Sequence, residues 1–178
     1  MFQYCPSCGT KNIQFKGSRF YCPGCGFVYY HNTAAASGCV IVSGGKVLLL
    51  VRGKEPSLGK LDLPGGFVDP GEGILDGLCR ELREELGWEP PLKPGESPAD
   101  YLRLFASFPN VYRYKNIDYN VCDIFFTVDA PGLTEQDLRI EAGEISGVRF
   151  LHPEEINPDD LAFDSTRRAI RVFIARKG

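Results

Sequence analysis

The chain is 178 residues long, about one domain plus a small appended module at roughly 150 residues per domain, and its 43% hydrophobic and 24% charged content excludes wholesale disorder. A formal net charge of −3 excludes the basic excess of a dedicated nucleic-acid binder. No run approaches the roughly 20 apolar residues that span a bilayer, and the opening MFQYCPSCGTKN has neither the basic start nor the apolar stretch of a signal peptide, so a soluble cytoplasmic protein without a membrane partner is expected.

Residues 1–32 stand apart. They hold Lys11, Lys16 and Arg19 against no acidic residue, a formal +3 that leaves −6 for the remainder, and four of the seven cysteines. Those four form two knuckles of one pattern, Cys5-Pro-Ser-Cys8-Gly and Cys22-Pro-Gly-Cys25-Gly. Two intervening residues let both thiolates of a knuckle approach one ion from a tight turn, and four thiolates close the tetrahedron that Zn²⁺ prefers. The 13 residues between the knuckles suit a short hairpin from Ile13 to Phe20, turning at Gly17-Ser18. A zinc ribbon over residues 1–32 is therefore expected, with Cys5, Cys8, Cys22 and Cys25 holding a structural Zn²⁺. Two disulfides are the competing reading, disfavoured without a secretory signal. Metallation by four thiolates cancels most of the basic excess. Phe15, Phe20 and Tyr21, interleaved with Lys16 and Arg19, could stack on nucleic-acid bases, but a module this small needs them for its own core.

Residues 33–178 read as a second, mixed α/β unit. Gly38–Val42 and Lys46–Val51 are β-rich runs around Ser43-Gly44-Gly45, a hairpin of buried strands. A short strand broken by glycines follows over 61–68, then a helix from about Gly73 to Leu86 that stops at Gly87. Tyr101 to Tyr114 and Tyr119 to Val128 are expected as long strands joined around Lys115-Asn116, and a strand at 148–151 and a helix over about 165–176 complete the chain. Arg167, Arg168, Arg171 and Arg176 read as the solvated face of that last helix. Cys39, Cys79 and Cys122 lie in apolar segments and read as buried small hydrophobes.

The chemistry concentrates in Gly66-Phe67-Val68-Asp69-Pro70-Gly71-Glu72 and Arg80-Glu81-Leu82-Arg83-Glu84-Glu85-Leu86-Gly87-Trp88. At about 100° per residue, with Arg80 at 0°, Glu84, Glu81 and Glu85 fall near 40°, 100° and 140°, so three carboxylates share one helix face. Leu75, Leu78, Cys79, Leu82 and Leu86 form the apolar stripe beside them. Like charges so spaced repel by a few tenths of a kcal/mol per pair, and a divalent cation removes that penalty. All-oxygen donors favour Mg²⁺ or Mn²⁺, which also reach for substrate phosphates. Arg80, one turn before Glu84, can orient a carboxylate.

Glycine, five residues, glutamate, seven residues, then Arg-Glu-Leu-x-Glu-Glu-x-Gly-Trp resembles the complete Nudix box of the Nudix hydrolases, and Leu63-Pro64-Gly65 before it is also similar to that family. The resemblance implies an α/β/α sandwich, with the small ribbon ahead of it, and hydrolysis of a nucleoside diphosphate linked to another moiety, such as ADP-ribose, a dinucleotide or a nucleotide sugar. It implies Glu81, Glu84 and Glu85 as Mg²⁺ or Mn²⁺ ligands, with Glu72 and the Gly66 carbonyl added to that set. Glu72 and Arg80 would also support the loop and helix. Glu144 resembles an extra loop glutamate that some members use as ligand or base. A homodimer is compatible with the same resemblance.

A four-cysteine ribbon before such a domain is similar to the zinc-ribbon NADH pyrophosphatases. Their Ser-Gln-Pro-Trp-Pro-Phe-Pro motif should fall near residue 107, where the chain instead reads Ser107-Phe108-Pro109-Asn110-Val111-Tyr112-Arg113-Tyr114. That departure weighs against NADH specificity. Phe108, Tyr112 and Tyr114 are then candidates to stack on a base, with Arg113 or Lys115 near phosphate. Two alternatives stay open: cleavage at the NAD-type capped end of an RNA, and an RNA- or nucleotide-binding module with an inactive box.

Overall fold

A computed structural model describes residues 2–177 of the chain. It divides into two compact units, residues 1–33 and 34–178. In the first, β1 (Gln14–Lys16), β2 (Arg19–Tyr21) and β3 (Val28–Tyr30) form an antiparallel sheet in that order. The β1–β2 pair is the hairpin expected at Gly17-Ser18; β3, only three residues long, gives no sequence signal of its own. Phe20 is buried at the ribbon's centre against Phe15, Phe27 and Tyr29, whereas Phe15 and Tyr21 are exposed and do not form the core expected of them.

In the second unit, β4 (Ala34–Ser43), β5 (Lys46–Arg52), β6 (Leu61–Asp62), β7 (Arg103–Tyr114), β8 (Ile117–Asp129) and β9 (Ile145–Leu151) form one mixed sheet. Its order is β6-β5-β4-β8-β7, with β9 along β5. The β4–β8 pairing is parallel, from Ala34↔Val121 to Val42↔Asp129, a long-range contact that no local pattern reveals. Helices α1 (Ile74–Leu86) and α2 (Asp164–Lys177) cover opposite faces. Alternation along the central strands explains the two cores. Cys39, Ile41, Leu48 and Leu50 meet Leu78, Leu82 and Leu86 of α1, while Val40, Val42, Val47 and Leu49 meet Ala169, Ile170 and Phe173 of α2. Both faces of β4 and β5 are therefore buried, and the unit is the α/β/α sandwich.

Helix α1 ends where Gly87 takes a φ of 61° and its N–H bonds the Arg83 carbonyl at 2.9 Å. Cys122 departs from the sequence expectation. It is exposed near the start of β8, on the same strand face as Ile124 and Phe126 but short of the core that those two join. Arg168, Arg171 and Arg176 of α2 are exposed, as expected, with Arg168 4.3 Å from the Phe108 ring centre and Arg176 5.9 Å from that of Phe105, while Arg167 is half-buried and donates to the Leu161 carbonyl. Among the described residues no helix is long and apolar enough to cross a membrane.

Candidate active site

The site begins with a glycine loop stitched to β4. Ser37 N–H donates to the Gly66 carbonyl at 2.9 Å, Cys39 N–H to the Pro64 carbonyl at 2.9 Å, and Val68 N–H to the Ala35 carbonyl at 3.0 Å. Gly65 has a φ of 139°, and a Cβ there would stand 2.1 Å from the Ser37 carbonyl oxygen, so only glycine fits. A Cβ on Gly66 would stand 2.5 Å from Glu81 Oε1, which shows how tightly the loop runs over the carboxylates of α1.

Arg80 is the hub of those carboxylates. Its guanidinium bonds Glu72 at 2.8 and 3.1 Å, Glu81 at 2.9 Å, Glu84 at 3.0 Å and the Phe67 carbonyl at 3.0 Å. These bonds hold the Glu72 carboxyl below its usual range. Burial raises Glu81, and it raises Glu85 well above the ordinary value, with only the Gly65 N–H at 2.8 Å opposing it. A carboxylate that is costly to ionise and lacks a cationic partner is a ready donor for a metal ion.

A cavity of about 270 Å³ opens beside these groups. Glu81, Glu85 and Glu144 line one part of it, and Lys54 bonds Glu144 at its rim. Phe67, Tyr112 and Phe163 line another, with ring centres 5.5 Å apart for Phe67–Tyr112 and 5.9 Å for Tyr112–Phe163. Arg52 lies 4.9 Å from the Phe163 ring centre and bonds Asp62 at 3.2 Å.

Of the residues singled out in the sequence, Gly66, Glu81, Glu85, Glu144 and Tyr112 border this cavity. Glu72, Arg80 and Glu84 lie behind it, joined through Arg80. The Gly66 carbonyl already accepts the Ser37 N–H, leaving one lone pair. Phe108 packs 6.3 Å from Phe125 beneath Arg168, Arg113 is bound by Asp118, and Tyr114 is exposed beside Lys115, so none of these three lines the cavity. Sequence reasoning missed Asp62, Asp123, Arg52 and Phe163. Asp123 had a signal: it is a lone acid inside the apolar run Val121 to Phe126.

In the ribbon, the Cys5–Cys25 and Cys8–Cys22 sulfurs are each 3.7 Å apart. Thiolates at about 2.3 Å from a central Zn²⁺ define a tetrahedron with edges of about 3.8 Å, so the spacing fits that ion and is well beyond the length of an S–S bond, about 2.05 Å. The Phe27 N–H bond lowers the Cys25 thiol to about 7. Among the described residues, the cysteines alone bring three or more ligating atoms within 4.8 Å of one another. The glutamates are instead spread around the Arg80 guanidinium and the Gly65 amide.

The NUDIX domain model matches residues 31–173. The chain belongs to the NUDIX domain family. The chain is 37% identical over 86 residues to an NAD-capped RNA hydrolase of Stutzerimonas stutzeri, covering 48% of this chain and 31% of that protein. It is 39% identical over 66 residues to an ADP-ribose pyrophosphatase of Methanocaldococcus jannaschii, covering 37% of this chain and 38% of that protein. The chain thus spans only about a third of the length of these relatives. A NUDIX hydrolase structure from Nitrosomonas europaea superposes with a TM-score of 0.64 at 22% identity, over 99% of this chain and 92% of that one. The NUDIX domain of Shewanella oneidensis NrtR, solved with ADP ribose, gives 0.63 at 22% identity, over 89% and 94%. At such identities these two structures speak to the fold alone.

Proposed function

We propose that the protein hydrolyses the diphosphate of a small nucleotide in which a nucleoside diphosphate is linked to a second moiety, using Mg²⁺ or Mn²⁺ at Glu81 and Glu85 in the cavity, with Glu84 on the same helix face reaching the ion once it leaves Arg80. The observation that carries this reading is the joining, in one cavity, of buried carboxylates with cationic and aromatic walls. A cation held there would neutralise the diphosphate and acidify a bound water. Arg80 orients Glu72, Glu81 and Glu84 and removes their mutual repulsion. Gly65 N–H fixes the Glu85 carboxylate, and the packed loop keeps Glu81 from rotating out of place. Arg52 and Lys54 are the cavity's cations and suit phosphate oxygens. Glu144, released from Lys54 when a phosphate engages that lysine, is the candidate proton acceptor for the attacking water. The four-cysteine set holds a structural Zn²⁺ in the ribbon.

Linkage of the two named relatives to ADP-ribose and to NAD-capped RNA makes those ligands the first to try, together with NADH and nucleotide sugars. The purified protein is incubated with each, with Mg²⁺ or with a chelator, and products are identified by mass spectrometry. Paired monophosphate products that require Mg²⁺ support the reading. Absence of cleavage across the panel contradicts it, and cleavage of capped RNA in preference to every small nucleotide moves the substrate to RNA ends.

A further inference from the structure

The cavity contains an acid that the hydrolytic chemistry does not use. Alternation along β8 puts Val121, Asp123 and Phe125 on the face that borders the cavity, and Asn110 and Tyr112 of β7 flank them. Asp123 is partly buried, and its bonds come from two neutral donors: the Ser165 hydroxyl and the Asn110 side chain. No cationic side chain among the described residues pairs with it. Asp62, the other acid on this wall, differs, since it accepts from Leu63 N–H at 3.0 Å, Thr166 Oγ1 at 3.0 Å and Arg52 at 3.2 Å. A carboxylate has about four acceptor positions, so two neutral bonds leave Asp123 with capacity facing a ligand-sized space. A partly desolvated charge without a counter-ion is costly unless a donor arrives. A second polar group here has no partner at all: Ser37, 6% exposed and bordering the same cavity, has no hydrogen bond to its hydroxyl.

The neighbouring surface defines what carries that donor. Phe67, Tyr112 and Phe163 give an aromatic wall, and Arg52 backs the Phe163 ring. Flat heterocycles stack on such walls whatever their edge, so the wall supplies affinity without choosing among bases. Choice falls to the polar group beside it. A carboxylate only accepts, which favours a base edge bearing an amino group and opposes one bearing a carbonyl there.

We propose that Asp123 is the specificity-determining residue of this cavity, accepting a hydrogen bond from the exocyclic amino group of a nucleotide base held against Phe67, Tyr112 and Phe163. This rests on the reading of the site as one for nucleoside-diphosphate derivatives. It makes ADP-linked ligands preferred over their hypoxanthine counterparts, which differ by one amino group replaced with a carbonyl. The selection is made at Asp123, on a different face of the sheet from the α1 glutamates, so recognition of the base and cleavage of the diphosphate are separable.

The test compares ADP-ribose with IDP-ribose on the full chain, by calorimetric titration without divalent cation and by turnover with Mg²⁺. Wild type is expected to bind ADP-ribose about 10- to 100-fold more tightly, the range for a hydrogen bond to a charged group. Asp123→Asn should bring the ratio to within about threefold of one, and Asp123→Ser serves if the asparagine variant does not fold. A wild-type ratio near one, or the wild-type ratio persisting in both variants, overturns the assignment. Preference in binding without hydrolysis of either ligand contradicts the hydrolase reading and leaves base selection standing, hydrolysis of both without preference does the reverse, and binding of neither overturns both.

Discussion

Adjacent glycines in the loop should fail in opposite ways when each is changed to alanine. At Gly65 the new Cβ would meet backbone, 2.1 Å from the Ser37 oxygen and 2.8 Å from the Gly38 Cα, at a φ of 139°. Strand β4 would have to withdraw by about 1 Å, straining the bonds of Ser37 N–H to Gly66 and Cys39 N–H to Pro64, worth about 1 kcal/mol each. With about 1–3 kcal/mol for a backbone conformation reserved to glycine, the loss comes to roughly 3–5 kcal/mol. That is a fall in Tm of about 10 °C or more for a domain of this size. At Gly66 the Cβ would meet only the Glu81 carboxylate, at 2.5–2.9 Å, the movable end of a side chain. Stability should then stay within about 1 kcal/mol of wild type. The carboxylate must move by about 1 Å and lose its bond from Arg80, and a displacement of that size costs about 100-fold in rate. Thermal unfolding and Mg²⁺-dependent turnover of the best panel substrate read the two effects. Equal losses of stability in the two variants, or Gly66→Ala turning over at the wild-type rate, would refute the reasoning.

Three further outcomes follow from the same geometry. Burial outweighs the Arg52 pair and pushes Asp62 from 3.8 to about 6. Its folded value exceeds its unfolded one, so its contribution favours the fold at low pH and is lost as pH rises from about 4 to about 6, by about 3 kcal/mol in all. Urea unfolding of wild type and Asp62→Asn at pH 4 and pH 7.5 should show that differential slope, and parallel profiles would contradict it. Chain as purified should carry one Zn²⁺ by elemental analysis and lose it in Cys22→Ser; a mass lower by four protons, the mark of two disulfides, would contradict the metal. Lys115 and Asn116 hold φ of 46° and 64° in the β7–β8 turn, so Lys115→Asn with Asn116→Gly should raise stability by about 1 kcal/mol, and an unchanged Tm would count against that account.

What the sequence made legible follows from how local each signal is. The cysteine knuckles, the helix stop at Gly87 and the apolar stripe of α1 are set by residues within one or two turns of each other, and the structure reproduces them. The sandwich was legible through family resemblance and through β4 and β5 being apolar on both faces. The parallel β4–β8 pairing joins segments more than 80 residues apart, and with it comes the placement of Asp123 beside the cavity. No spacing rule reaches that far. The alternating aromatics of β7 illustrate the same limit: Phe108 and Tyr112 share a strand face, yet one faces Arg168 and Phe125 while the other meets Phe67 and Phe163. The spread of the glutamates around Arg80 was equally hidden, because a helical wheel gives directions and not the neighbours that bind what points there.

The most direct test of the central claim is kcat/KM for the best nucleotide of the panel in wild type and in Glu85→Gln, each with Mg²⁺ and with chelator. If Glu85 holds the cation that the reaction needs, the substitution lowers turnover by more than about 100-fold, beyond the loss from an outer partner, and chelation abolishes it in wild type. Equal turnover by the two proteins, or turnover indifferent to Mg²⁺, would contradict the account.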